Sequence, residues 1–168
     1  MIKRWSIVAS LALTVAFVGM VGCSAHTSPD FNLIFKYGVG AKNELNTFEG
    51  THTRDMIMDP SITVDLSLSK EELDSIYQKM EAIDFFEYPD RFSVPIPPDG
   101  RVIMVTPYYS YYFKVKYDSK IKELWWEDEI KNENMEADKL RELIKLIRDI
   151  IESKEEYKQL PDPRGGYL

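Results

Sequence analysis

Between Ile62 and Ile83 the hydrophobic period of the chain changes once, within a few residues. Ile62, Val64, Leu66 and Leu68 alternate with Ser61, Thr63, Asp65 and Ser67, so an extended segment here has one apolar and one wet face. From Leu73 onward the apolar positions are Leu73, Ile76, Tyr77, Met80 and Ile83, the spacing of one helix face. Ser69 stands at the change, with Glu72 three residues later, a capping box that starts a helix. A strand therefore passes directly into a helix between Leu68 and Ser69. Both carry a single apolar face, and each must close on another layer.

The rest of the chain supplies those layers. Phe31, Leu33, Phe35 and Tyr37 alternate with Asn32, Ile34 and Lys36, which reads as a strand. Gly38-Val39-Gly40 breaks it, and the segment lacks the third glycine and following helix of a dinucleotide site. Leu45 to Phe48 and Thr51 to Met58 read as extended, with Gly50 between them as a bulge position and Asp59-Pro60 as a turn. Residues 89–107 hold five prolines, too many for regular structure, apart from a short strand over 102–105. Tyr109, Tyr111, Phe113, Val115 and Tyr117 form the next alternating face, and Ile121 to Trp126 returns as a hairpin around Asp118-Ser119. Leu140, Leu143, Ile144, Ile147 and Ile151 mark a long amphipathic helix over 136–153. Residues 155–168 form either a docked turn or a frayed tail. This order predicts an α+β fold, an antiparallel sheet with two amphipathic helices packed on one face, as a single domain over residues 30–168. The expected core includes Phe35, Val64, Leu66, Leu73, Ile76, Met80, Phe113, Val115, Leu143, Ile144 and Ile147.

Composition narrows the chemistry. Of 168 residues, 21 are Lys or Arg and 28 are Asp or Glu, a formal charge of −7. An acidic chain with no basic run is a poor nucleic-acid binder, because phosphate contacts dominate that affinity. One Cys excludes a disulfide framework and a Cys-rich zinc site. Nothing in the sequence asks for a cofactor.

That Cys closes the N-terminal segment. Met1-Ile2-Lys3-Arg4 is a short cationic start, Trp5 to Val21 is free of charge, and Gly22-Cys23 precedes the polar stretch from Ser24 to Asp30. Residues 1–22 thus have the parts of a secretory signal peptide in order, and a stretch of 17 uncharged residues lies at the lower limit for a membrane span. Met20-Val21-Gly22-Cys23 resembles the lipobox of bacterial lipoproteins, with Met20 in place of the usual Leu. The resemblance implies a diacylglyceryl group on the Cys23 thiol, cleavage before Cys23, and a partner that is the membrane itself. The expected location is the outer, extracytoplasmic face of the cell membrane. Two acyl chains anchor firmly where one does not, and lipidation removes a lone reactive thiol. Cleavage would remove Lys3 and Arg4 but no acid, leaving 19 basic and 28 acidic residues, or −9. Anionic lipid repels such a domain, so the acyl chains must hold it. Residues 23–29 act as lipidated Cys and tether. Six residues from Ser24 to Pro29 reach at most roughly 20 Å. The part beyond the tether resembles the small surface lipoproteins of Gram-positive bacteria, and that likeness implies no activity.

Three groups of residues compete as sites. His52, near Arg54, Asp55 and Asp59, has the makings of a general base in an exported hydrolase, although no G-x-S-x-G elbow accompanies it; a polar strand face gives the same pattern. Asp55, Asp59 and Asp65 suggest a calcium site by composition but fit no loop template. The third group is aromatic. Tyr108 and Tyr112 fall on the strand face opposite Tyr109, Tyr111, Phe113 and Tyr117, and adjacent Trp125 and Trp126 cannot both point inward in a strand. Tyr108, Tyr112, Trp125 and Trp126 are therefore the candidate binding surface, for a cell-envelope protein or a glycan. Cover by a helix or by the proline-rich loop is the alternative. The balance predicts a membrane-anchored binding module rather than an enzyme.

Overall fold

A computed structural model describes residues 30–168; the signal segment, Cys23 and the tether lie outside the described residues. The strands are β1 (Asn32–Tyr37), β2 (Asn43–Asn46), β3 (Thr51–Met56), β4 (Asp59–Asp65), β5 (Arg91–Phe92), β6 (Ser110–Tyr117) and β7 (Lys120–Glu127). They form one sheet in the order β4-β3-β2-β1-β6-β7-β5. All neighbours are antiparallel except the short β5, which runs parallel to β7. Helices α1 (Lys70–Ala82), α2 (Met135–Ser153) and the single turn α3 (Glu155–Lys158) complete the α+β architecture.

The helix starts after Ser69 as expected, but the strand does not pass directly into it: β4 ends at Asp65, and residues 66–69 connect the two. The Ser69 side chain accepts from the Glu72 backbone at 3.3 Å, and the Glu72 carboxylate accepts from the Ser69 backbone at 2.7 Å. Asn134 caps α2 by accepting from the Ala137 backbone at 2.8 Å. Lys79 of α1 pairs with Glu142 early in α2, while Glu72 at the start of α1 pairs with Lys154 beyond the end of α2. The two long helices therefore run antiparallel across one face of the sheet. That face supplies Leu33, Phe35, Leu45, Tyr111, Phe113, Val115, Leu124 and Trp126 to a core closed by Ile76, Tyr77, Met80, Leu140, Leu143, Ile144 and Ile147. Among the described residues no helix covers the opposite face, which carries cross-strand pairs such as Lys36–Glu44 and Lys114–Glu123.

Several local expectations are corrected. Val64 and Leu73 are half-buried rather than core, because β4 is the sheet edge and Leu73 lies at the start of α1. Asp59-Pro60 does not turn the chain; it opens β4, where an edge strand tolerates a missing N–H. The turn lies just before it, where Ile57 takes a φ of 64°. Gly50 is no bulge: residues 47–50 are a turn between β2 and β3, and β2 ends at Asn46. The proline-rich segment is ordered along one side. It contributes β5, and Met104 bridges Ile130, with the Lys131 backbone donating to Ile103 at 2.8 Å. The β6–β7 turn succeeds without glycine because Asp118 and Ser119 both take left-handed φ values, 42° and 62°, as a type I′ hairpin requires.

Candidate functional site

The C-terminal segment docks. Arg164 pairs with Asp59, Ile57 bridges Arg164, and the Tyr167 hydroxyl donates to the Asp55 carboxylate. This closes one side of a cleft at the end of the sheet where β1 and β3 finish and β2 and β6 begin. Tyr37, Asn43, Arg54, Tyr109, Arg148 and Tyr157 line it together with Asp55, Ile57 and Tyr167. Its volume is about 230 Å³, below the roughly 300–1,000 Å³ that holds a drug-sized ligand. Gly38 forms the corner after β1 with a φ of 96°, and a Cβ there would lie 2.6 Å from the Asn43 amide nitrogen. A side chain at this corner would thus push on the cleft wall.

The acid and the bases of the cleft are unequally engaged. Asp55 accepts from the Tyr167 hydroxyl and, at 3.1 Å, from the Ile57 backbone. Arg54 stacks on the Tyr157 ring at 5.0 Å, but its polar contacts are loose: 3.4 Å to the Leu160 carbonyl and 3.5 Å to Asp162. The Asp162 side chain is fully exposed, so solvent screens that pair to little value. Arg148 spends one nitrogen on Glu152 at 2.8 Å and lies 5.9 Å from the Tyr37 ring, while its buried Nε has no partner. Lys42 adds a further positive charge 4.8 Å from the Tyr167 ring.

His52 lies beneath this cleft and takes no part in its lining. It is fully buried, 3.0 Å from the Tyr37 hydroxyl through Nε2 and edge-on to Tyr157, with Nδ1 unpartnered. Burial, then the neighbouring Arg54 charge, lowers its pKa to about 4. A neutral imidazole sealed from solvent, with no carboxylate hydrogen-bonded to it, lacks the access a general base needs. The calcium suggestion fails on contacts: Tyr167 engages Asp55 and Arg164 engages Asp59. No group of three His, Cys, Asp or Glu side chains suited to a metal ion is assembled among the described residues.

The aromatic candidates divide. Tyr112 and Trp125 are cross-strand partners on the helix-free face, with ring centroids 6.2 Å apart, and both are half-buried. Tyr108 is half-buried in the strand's lead-in. Trp126 does not belong to any surface. It faces Tyr111 across the hairpin, has 0% exposure, and packs under Phe92 and Arg141. Of the two adjacent tryptophans, Trp126 points into the core and Trp125 to the other face. Tyr109, expected on the core face, is 48% exposed because it precedes β6; it becomes a cleft wall. Tyr37, Arg54, Arg148, Tyr157 and Tyr167 were not among the sequence candidates. A signal existed for two of them. Arg54 shares the inward parity of His52 on β3, and Arg148 follows core residue Ile144 by four positions on α2.

No protein-family model matches this chain, and no curated protein and no solved structure matches it. Function is therefore argued from the site.

Proposed function

We propose that this protein is a lipid-anchored extracytoplasmic binding module, held on the outer face of the cell membrane through Cys23, and that the tyrosine–arginine cleft is its recognition site. The single observation that carries the binding part is the cleft itself: walled by tyrosines, with Arg54 held only by long polar contacts, and with no Ser, Thr, Cys or His among the described residues that line it. Such a site holds a ligand rather than transforming it.

The geometry also fits an anchored domain. Asp30, the first described residue, lies 3.9 Å from Lys116 near the end of β6, and Phe31 packs on Tyr77. The cleft is at the other end of β1, about 20 Å away at the rise of an extended chain. With a tether of six residues holding the Asp30 end near the bilayer, the cleft lies at the end of β1 farther from the anchor. Among the described residues no helix is long and apolar enough to cross a membrane.

The anchor is tested by metabolic labelling with palmitate. Wild type incorporates label and fractionates with membranes; Cys23→Ala remains an unlabelled, uncleaved precursor. Equal labelling of both proteins overturns the proposal.

A further inference from the structure

We propose that the cleft takes an acidic saccharide, a single sugar ring bearing a carboxylate, with the carboxylate directed to Arg54 and Arg148 and the ring against the tyrosines. This rests on the cleft being the binding site. Three observations lead to it. The first is charge. Asp55 is already satisfied by Tyr167 and the Ile57 backbone, whereas Arg54 holds only long polar contacts of 3.4 and 3.5 Å, and Arg148, paired with Glu152 through one terminal nitrogen at 2.8 Å, keeps a partly exposed guanidinium on the cleft wall. A site whose acid is engaged and whose Arg54 guanidinium has only long polar contacts is set to accept an anion, and planar guanidinium favours a carboxylate or phosphate.

The second observation is size. A volume of about 230 Å³ leaves room for one ring and a substituent and excludes a folded peptide. The third is the character of the walls. Tyr109 and Tyr157 bring aromatic rings to the lining, and Asn43, Asp55 and Tyr167 place amide, carboxylate and hydroxyl groups beside them. An aromatic acid would suit a uniformly apolar slot. A sugar has both C–H faces for the rings and hydroxyls for the polar groups, and Asp55 can accept from a hydroxyl. Asp55 also disfavours a second negative charge, which points to a singly charged group such as a carboxylate rather than a dianionic phosphate monoester.

The test compares three probes on the full-length protein in detergent micelles by saturation-transfer NMR and titration: D-glucuronate, D-glucose and acetate. Glucuronate is expected to bind at least tenfold more tightly than either other probe. Arg148→Gln and Arg54→Gln should each reduce the preference for glucuronate over glucose by about tenfold. Tyr109→Ala, at a half-exposed position, should weaken glucuronate and glucose together without altering the melting temperature; it serves where an arginine variant fails to fold. Glucose binding as tightly as glucuronate, or acetate doing so, would overturn the acidic-sugar assignment while leaving the cleft a binding site. No binding by any probe also overturns the assignment. The lipid anchor fails or stands separately, on palmitate labelling. Binding that survives Tyr109→Ala and both arginine substitutions would place the sugar elsewhere and equally defeat the proposal.

Discussion

At the scale of single residues, His52 is the side chain whose environment departs furthest from its sequence context. Its neighbours in the chain are polar, yet strand parity turns it inward, opposite Leu45 and Val64. Burial keeps the ring neutral down to about pH 4, whereas in an unfolded chain it takes a proton near 6.5. Above pH 6.5 neither state is protonated, and the contribution of this site to stability is complete. Between 6.5 and 4 the unfolded chain binds a proton that the folded one refuses, so stability falls as pH falls. The shift corresponds to about 3 kcal/mol in full. Urea denaturation at pH 7 and pH 4.5 should show wild type losing about 2–3 kcal/mol more than His52→Gln over the same interval. Equal losses would mean that the buried imidazole is not the titrating group. The two tryptophans offer a second contrast. Trp126→Ala should destabilise by about 3–5 kcal/mol, as removal of a large core side chain does. Trp125→Ala loses only a half-buried aromatic pair with Tyr112, about 1 kcal/mol. Paired thermal melts check both, and similar costs would mean the hairpin faces are assigned wrongly.

At the scale of elements, α1 depends on the reciprocal bonds at Ser69. Ser69→Ala removes the acceptor for the Glu72 N–H and should lower stability by about 1 kcal/mol, while Ser69→Gly should cost less than half of that. Urea midpoints measure the difference, and an unchanged midpoint in the Ala variant would show the box contributes nothing. Those same residues explain what was legible beforehand. Where a period runs for several residues, as in β1, α1, β6 and α2, the apolar face and the element type follow from it directly. Boundaries and faces failed where tertiary position outweighs local pattern. Val64 has perfect alternation but lies on an edge strand, so half of its burial is missing. Asp59-Pro60 has turn chemistry, yet the reversal is made by Ile57 at a positive φ that no composition signals. Tyr109 keeps the parity of a core residue and is exposed because the strand begins after it. The cleft was the least legible feature. Its walls come from β1, β3, the lead-in to β6, α2, α3 and the C-terminal tail, parts far apart in sequence that only the fold brings together. Arg54 and Arg148, charged residues at inward or stripe-flanking positions, were the one trace it left.

At the scale of the whole molecule, the proposed N-terminal anchor and the cleft lie at opposite ends of β1. Both halves of that claim can be read with one reagent, because the chain has a single Cys and lipidation would consume its thiol. Tyr109→Cys therefore introduces the only free thiol, at a position 48% exposed beside the cleft. Ile144→Cys places one in the core instead. The decisive measurement is labelling of intact cells with a membrane-impermeant maleimide. The account predicts strong labelling of Tyr109→Cys before lysis, little labelling of Ile144→Cys until the protein is denatured, and none of wild type even when denatured. Labelling of Tyr109→Cys only after the cells are broken, or of wild-type Cys23 on denaturation, would contradict it.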